Sequence, residues 1–275
     1  MRTLVHLSDL HTGRLDEGSV APLIAAIKGV KPDLAVLSGD LTQRATVEQF
    51  RQARAFLDAL HAPVFTIPGN HDVPMYNVAA RFLTPLRRYR KYITTDLYPV
   101  FEDTEMIVAG VNTARSLTIG EGRINRGQVD TLLARLTAAP PGLTRIVVTH
   151  HPFDLPPGVQ DKRLLGRATM AMARLAEAGA DLFLSGHLHI SHISHSAERY
   201  RIAGHSALIV QAGTVSLRGR GEEPSFNVLR LDRPRLSVGR FVWDPARRDF
   251  SEVAAGVYER GDDGWTAVIE SGAVP

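Results

Sequence analysis

Short apolar runs alternate with amphipathic stretches through the first two thirds of the chain, and this alternation limits the fold more than any other feature. The runs are Thr3–Leu7, Leu34–Leu37, Val64–Ile67, Met106–Val111, Arg145–Thr149 and Leu182–Leu184. Such a pattern predicts strands joined by helical crossovers. The connecting segments agree: Val20–Gly29 carries apolar residues at helical spacing, and Val47–Leu60 starts behind Thr46, a plausible N-cap. From His187 onward the texture changes. The runs around His189–His195, Ala207–Ala212, Phe226–Leu231 and Leu236–Trp243 are short, alternating and divided by Gly or Asp-Arg-Pro turns, which predicts antiparallel strands. Two sheets packed together with helices outside follow, an α/β architecture. One domain is expected over residues 1–245, with 246–275 as a C-terminal extension, either a strand or a loose tail.

Composition narrows the chemistry. The 275 residues contain no cysteine, so any metal is held by oxygen and imidazole nitrogen and no disulfide forms. Lys+Arg 32 against Asp+Glu 29 leaves a net charge of +3, too small an excess to point to nucleic acid. No run approaches the roughly 20 apolar residues that a bilayer needs. The start reaches His6 and Asp9 too soon for a signal peptide, so the cytoplasm is the expected compartment.

The residues that end each run carry the functional signal. Asp9-Leu10-His11 places a carboxylate and an imidazole at the C-terminal mouth of the first strand, where open α/β sheets put their sites. Alone, this pair is more often a turn aspartate beside a surface histidine. Repetition decides against that. Ser38-Gly39-Asp40 ends the second run, Pro68-Gly69-Asn70-His71-Asp72 the third, and Thr149-His150-His151-Pro152 and Ser185-Gly186-His187-Leu188-His189 two later ones. Satisfied core or turn histidines explain any one of these but not the ordered set. Gly39, Gly69 and Gly186 each precede a candidate ligand, where a tight turn or close backbone approach is needed. His187 and His189 are two apart, a spacing that on extended chain turns both side chains the same way.

In these motifs the sequence resembles the calcineurin-like metallophosphoesterase superfamily, whose pattern Asp-x-His, Gly-Asp, Gly-Asn-His-Asp/Glu, His, Gly-His-x-His recurs in order from Met1 to about Gly213. The forms His6-Leu7-Ser8-Asp9-Leu10-His11, Gly69-Asn70-His71-Asp72 and Thr149-His150-His151-Pro152 look most like its class III cyclic-nucleotide phosphodiesterase branch. That branch includes bacterial enzymes active on cyclic AMP, glycerophosphodiesters and aryl phosphodiesters. The resemblance implies a four-layer αββα sandwich of two mixed sheets flanked by helices. It implies that Asp9, His11 and His189 hold one metal and Asn70, His150 and His187 another, with Asp40 bridging, and that His71 is a proton donor or a stabilising cation. Such a ligand set suits two ions among Mn²⁺, Fe²⁺/Fe³⁺, Zn²⁺ and Co²⁺, which roughly 3.5–4 Å apart acidify a bridging water for attack on phosphorus. Asp72 is a candidate to orient the His71 ring. One departure bears on substrate choice: Gln43-Arg44-Ala45 stands where an acidic residue, followed later by glycine, is expected.

The segment Arg81, Arg87, Arg88, Tyr89, Arg90, Lys91, Tyr92 is either a solvated helix face or a cap that attracts an anion and stacks a base on tyrosine. Arg14, Asn112 and His151 adjoin strand ends and are candidates to touch phosphate or the ligands, whereas His192, His195 and His205 match no ligand template. A rim near neutrality favours a substrate with one negative charge over two. The expected activity is therefore hydrolysis of a small phosphodiester, by a monomer or a homodimer. A nuclease, a phosphomonoesterase or a protein phosphatase on the same metal core is the alternative, and a scaffold that has kept the fold is less favoured because every ligand position is filled.

Overall fold

The computed structural model describes residues 1–202 and 204–268. The chain runs β1 (Arg2–Leu7), α1 (Glu17–Gly29), β2 (Leu34–Leu37), α2 (Val47–Ala59), β3 (Val64–Thr66), α3 (Val78–Leu83), α4 (Arg87–Tyr92), β4 (Val100–Glu102), β5 (Met106–Gly110), α5 (Arg126–Ala138) and β6 (Thr144–Val148). It continues α6 (Ala168–Glu177), β7 (Leu182–Ser185), β8 (His192–His195), α7 (Ser196–Arg199), β9 (Leu208–Gln211), β10 (Ser225–Asp232), β11 (Arg235–Asp244), β12 (Asp249–Gly261) and β13 (Gly264–Ala267).

Strand periodicity sets the layers. Leu4 faces one way along β1, Val5 and Leu7 the other. Leu4 joins Val36, Ile67, Val108, Val148, Leu184, Val210 and Leu229 in a core between two sheets. Val5, Leu7 and Leu37 turn outward against Leu23 and Ile27 of α1 and Phe50 and Phe56 of α2. On the far side Val147, Phe183 and Ile209 pack against Leu132 of α5 and Met172 and Leu175 of α6. Helices, sheet, sheet and helices are thus the four layers that the sequence implied. Each fully buried aliphatic side chain contributes roughly 1.5–3 kcal/mol to holding them together. The cap at Thr46 is present, its hydroxyl accepting from the amide of Gln49 at 3.2 Å.

The first sheet has the order β13-β12-β11-β10-β1-β2-β3 and the second β4-β5-β6-β7-β9-β8. β1, β2 and β3 are parallel, as are β5, β6, β7 and β9, and both sheets are mixed. Two expectations need correction. Ala207–Ala212 is not a simple antiparallel run, since β9 lies parallel to β7 and antiparallel only to β8, so its C-terminal end opens on the same rim as β5, β6 and β7. Strand pairing near His189 begins only at His192. The expected boundary at 245–246 falls in the hairpin between β11 and β12, and the chain beyond it adds two strands to the first sheet; residues 269–275 lie outside the described residues. Among the described residues no helix is long and apolar enough to cross a membrane.

Candidate metal centre

Five strand ends from both sheets meet at one rim. β1 delivers Asp9 and His11, β2 Asp40, β3 Asn70 and His71, β6 His150, and β7 His187 and His189; apart from half-buried His71, all are buried. Backbone bonds fix the junction: the amide of Asp9 donates to the carbonyl of Gly39, that of His11 to Asp40, and that of Gly186 to His150. The glycines are there for space. A Cβ on Gly69 would lie 2.2 Å from Asp40 Oδ1, and one on Gly186 2.5 Å from Asp9 Oδ2.

Backbone strain is concentrated at the same residues. Asp9, His11, Asp40, His187 and His189 all have positive φ, between 43° and 72°. Left-handed backbone costs a residue with a Cβ about 1–2 kcal/mol, and such outliers persist where the surroundings over-determine them, commonly at functional sites. His187 and His189 converge for this reason and not because the chain is extended. The amide of His187 is tied to Asp9 Oδ2 at 2.8 Å, which bends the backbone there.

The ring tautomers follow from their partners. Nδ1 of His11, His150 and His189 donates to the carbonyls of Thr42, Ser38 and Arg218 at 3.4, 2.8 and 2.8 Å. A carbonyl only accepts, so each ring keeps its Nδ1 proton and, in its neutral form, turns an Nε2 lone pair into the site. Nε2 of His11 and of His189 then face each other at 3.1 Å, and Asp9 Oδ1 lies 3.0 Å from the latter and 3.5 Å from the former. On the other side Asn70 Oδ1 lies 3.1 Å from both His150 Nε2 and His187 Nδ1, while the Asn70 amide nitrogen donates away to the carbonyl of Ile119. Asp40 Oδ2 stands between the groups, 3.4 Å from His150 Nε2 and 3.7 Å from His11 Nε2. Donors that share one ion at about 2.1 Å are themselves about 3.0–3.4 Å apart. The spacings fit two ions with Asp40 touching both. Acceptors facing acceptors at this range repel unless a positive charge lies among them.

The protonation preferences agree. Burial opposes charge on His150, yet the neighbouring Asp40 outweighs it and raises the ring to about 9. Burial likewise opposes charge on His189, and Asp9 again prevails, raising it. Burial and the His150 charge push His187 down to about 3. Asp9 and Asp40 stay well below the usual carboxylate range despite burial, because these imidazoles surround them.

His71 sits beside this group without belonging to it. Its Nδ1 donates to the carbonyl of Gln43 at 2.9 Å, and its Nε2 points to the opening. Asp72 does not orient the ring, contrary to expectation. Its carboxylate accepts from the amides of Leu41, Thr42 and Gly69 and from the Thr42 hydroxyl, fastening the second strand end to the third. The departure at Gln43 is harmless to that bond, which uses only the main-chain carbonyl.

The basic segment is a buttress, not a stacking cap. Tyr89 is fully buried, Tyr92 stacks on Phe50, and the buried Arg81 donates to the carbonyls of Pro74, Arg115, Ser116 and Thr118. Asn112 closes a turn by accepting from Ala114, and Arg14 is exposed, offering its carbonyl to Leu217. His151 is buried with Nδ1 on the Thr113 hydroxyl at 2.8 Å and Nε2 unpartnered, its ring 4.5 Å from that of His187. Arg218 is what the sequence reading missed. Its guanidinium lies 3.2 Å from Nε2 of both His11 and His71, and Arg163 and Arg220 are close enough to be felt with it. The rim is therefore cationic, not neutral.

The sequence model of the calcineurin-like phosphoesterases matches residues 2–191, a span holding all seven candidate ligands and His71. The chain belongs to this family. Calcineurin-like phosphoesterases are phosphoric ester hydrolases with a binuclear metal centre, and the Asp and His groups here could bind such ions. This calcineurin-like phosphoesterase is 35% identical over 80 residues to the glycerophosphodiester phosphodiesterase GpdQ of Enterobacter lignolyticus, an alignment covering 25% of this chain and 29% of that one. It is 36% identical over 76 residues to the UDP-2,3-diacylglucosamine pyrophosphatase LpxG of Chlamydia trachomatis, covering 26% and 23%. The alignments thus span less than a third of these relatives. Among solved structures, the purple acid phosphatase PPD1 of yellow lupin shares the fold with a TM-score of 0.68 at 12% identity, over 93% of this chain and 53% of that one. A dimetal phosphatase from Danio rerio does so with 0.65 at 14%, over 92% and 98%.

Proposed function

We propose that the protein hydrolyses small phosphodiesters at a pair of transition-metal ions, with Asp9, His11 and His189 holding one, Asn70, His150 and His187 the other, and Asp40 both. The observation that supports this most is the convergence of acceptor atoms from both sheets on spaces that only positive charge can fill. Mn²⁺, Fe²⁺/Fe³⁺, Zn²⁺ and Co²⁺ suit the imidazole, carboxylate and amide donors. When bound, such ions polarise phosphate oxygens and make water acidic near neutral pH.

The chain's own groups do the rest. Water adds its oxygen to phosphorus, the bond to one ester oxygen breaks, and that oxygen leaves with a proton. His71, held through Nδ1 and aimed through Nε2, is placed to supply the proton or to stabilise the leaving charge. Arg218, within reach of the same nitrogen, is placed to bind a non-bridging phosphate oxygen. The names of the GpdQ relatives support a diester over a monoester. The test is a screen of the Mn²⁺-loaded protein against cyclic nucleotides, glycerophosphodiesters, matched aryl mono- and diesters and single-stranded DNA. The highest kcat/KM on a small diester is expected; a matched monoester turned over faster would overturn the assignment.

A further inference from the structure

Three loops at the rim are bonded to the candidate centre. Residues 72–83 follow His71 and are pinned by Arg81 to residues 115–118; residues 112–123 hold Asn70 through the Ile119 carbonyl; residues 214–223 carry Arg218 against His11 and His71. These loops also bear most of the large apolar side chains left in solvent among the described residues. Tyr76, Phe82, Leu83, Leu117, Ile119 and Leu217 are 53–80% exposed. Single exposed apolar residues are ordinary, but their concentration on three segments bonded to one centre marks a surface that binds something.

Charge narrows what binds. Arg218 stands against His11 and His71, Arg44 lies 5.4 Å from the Tyr76 ring, and Lys162 and Arg163 line a cavity with Ile119, Gly120 and Glu121, two cations to one carboxylate. Cations at the middle with alkyl and aromatic groups around them complement a phosphate joined to a hydrocarbon chain. A sugar or nucleobase would call for hydrogen-bonding side chains where these apolar ones stand. We infer that the enzyme's substrate is an amphiphilic phosphodiester, bound as a single molecule with its phosphate at Arg218 and its aliphatic chain along the apolar rim of residues 76–83, 117–119 and 217. This rests on the phosphodiesterase reading and names its substrate class.

The test uses the full-length, Mn²⁺-loaded protein and alkyl p-nitrophenyl phosphodiesters with methyl, butyl and octyl chains below their critical micelle concentrations. Each turnover consumes one water and yields p-nitrophenolate and the alkyl phosphate. Full burial of a methylene corresponds to about fourfold in affinity; half burial on an open rim gives roughly twofold, hence about a hundredfold in kcat/KM from methyl to octyl. In Ile119→Ser and Leu117→Ser the octyl-to-methyl ratio should fall several-fold, and because a ratio is taken within each variant, any general loss of activity cancels. An octyl-to-methyl ratio near one, with the methyl ester turned over, overturns this inference and leaves the phosphodiesterase intact. A second octyl series that crosses the micelle threshold closes the test: a rate that rises only above it also overturns the inference, since the rim then seats an aggregate. No turnover of any ester defeats the phosphodiesterase reading itself.

Discussion

Gly69→Ala separates the centre from the fold that carries it. Gly69 has φ −102° and ψ −176°, an extended conformation open to alanine, so the new methyl adds no backbone strain. It does meet the Asp40 side chain: the Cβ would lie 2.2 Å from Oδ1 and 2.3 Å from the Asp40 amide nitrogen. Both are about 1 Å short of any tolerable separation, so the carboxylate and the Asp40 main chain behind it must move by that much. Oδ1 then loses its 2.7 Å bond from the His71 amide, and Oδ2 shifts relative to His11 and His150. Overpacking of this size costs about 1–3 kcal/mol, or roughly 2–10 °C in Tm for a chain of this length. Function should suffer more. A misplacement of about 1 Å at a catalytic group costs about 10²-fold in rate, and the carboxylate proposed to be shared by the two ions would be withdrawn from both. The assay is elemental analysis and kcat on an aryl diester, with Gly142→Ala as control, because Gly142 has φ +91° and no atom within 4 Å of its would-be Cβ. The control should lose about 1 kcal/mol and no metal. A folded Gly69→Ala that keeps two ions and wild-type kcat would refute the placement of Asp40 in the centre.

Three further outcomes are expected. Asp40→Ala should abolish turnover and leave fewer than two ions per chain; two tightly held metals with normal activity would remove Asp40 from the site. His71→Ala should keep both ions and lose about 10²–10⁴ in kcat, less with p-nitrophenolate leaving than with an alkoxide, since the former needs no proton; loss of a metal would make His71 a ligand. His150, raised to about 9 by Asp40 against the opposing effect of burial, is protonated at neutral pH, so an ion must displace that proton. Metal affinity should therefore rise by about a decade per pH unit toward pH 9 with proton release seen by calorimetry in buffers of different ionisation enthalpy, and a flat profile would contradict it.

The convergence of the candidate ligands was legible because each stands directly behind an apolar run, and a strand's C-terminal end fixes where the next residues go. His187 and His189 were placed at the rim for a partly wrong reason, because their backbone is left-handed rather than extended and is tied to Asp9, which is 178 residues away in sequence from His187. Arg218 escaped because the direction of β9 is not written in β9. Ala207–Ala212 alternates as an antiparallel strand would, and only its pairing with β7 aims the following loop at the candidate ligands. Tyr89 and Tyr92 are three apart and so share a helix face, a spacing that pointed to burial had it been weighed above the basic residues around them.

The placement of the candidate ligands on two sheets has a consequence for the lifetime of the protein. Asp9 and His11 leave the seven-stranded sheet, and His187 and His189 leave the six-stranded one. Ions held as proposed would rivet the two halves of the sandwich at one end, and only protein with its sheets docked could bind them. Free metal at a hundred times its dissociation constant adds about 2.7 kcal/mol to folding. Chelation would then do more than stop a reaction: it would let the sandwich gape, expose the aliphatic layer between the sheets and hand the chain to proteases, so that metal supply sets how much of the protein survives.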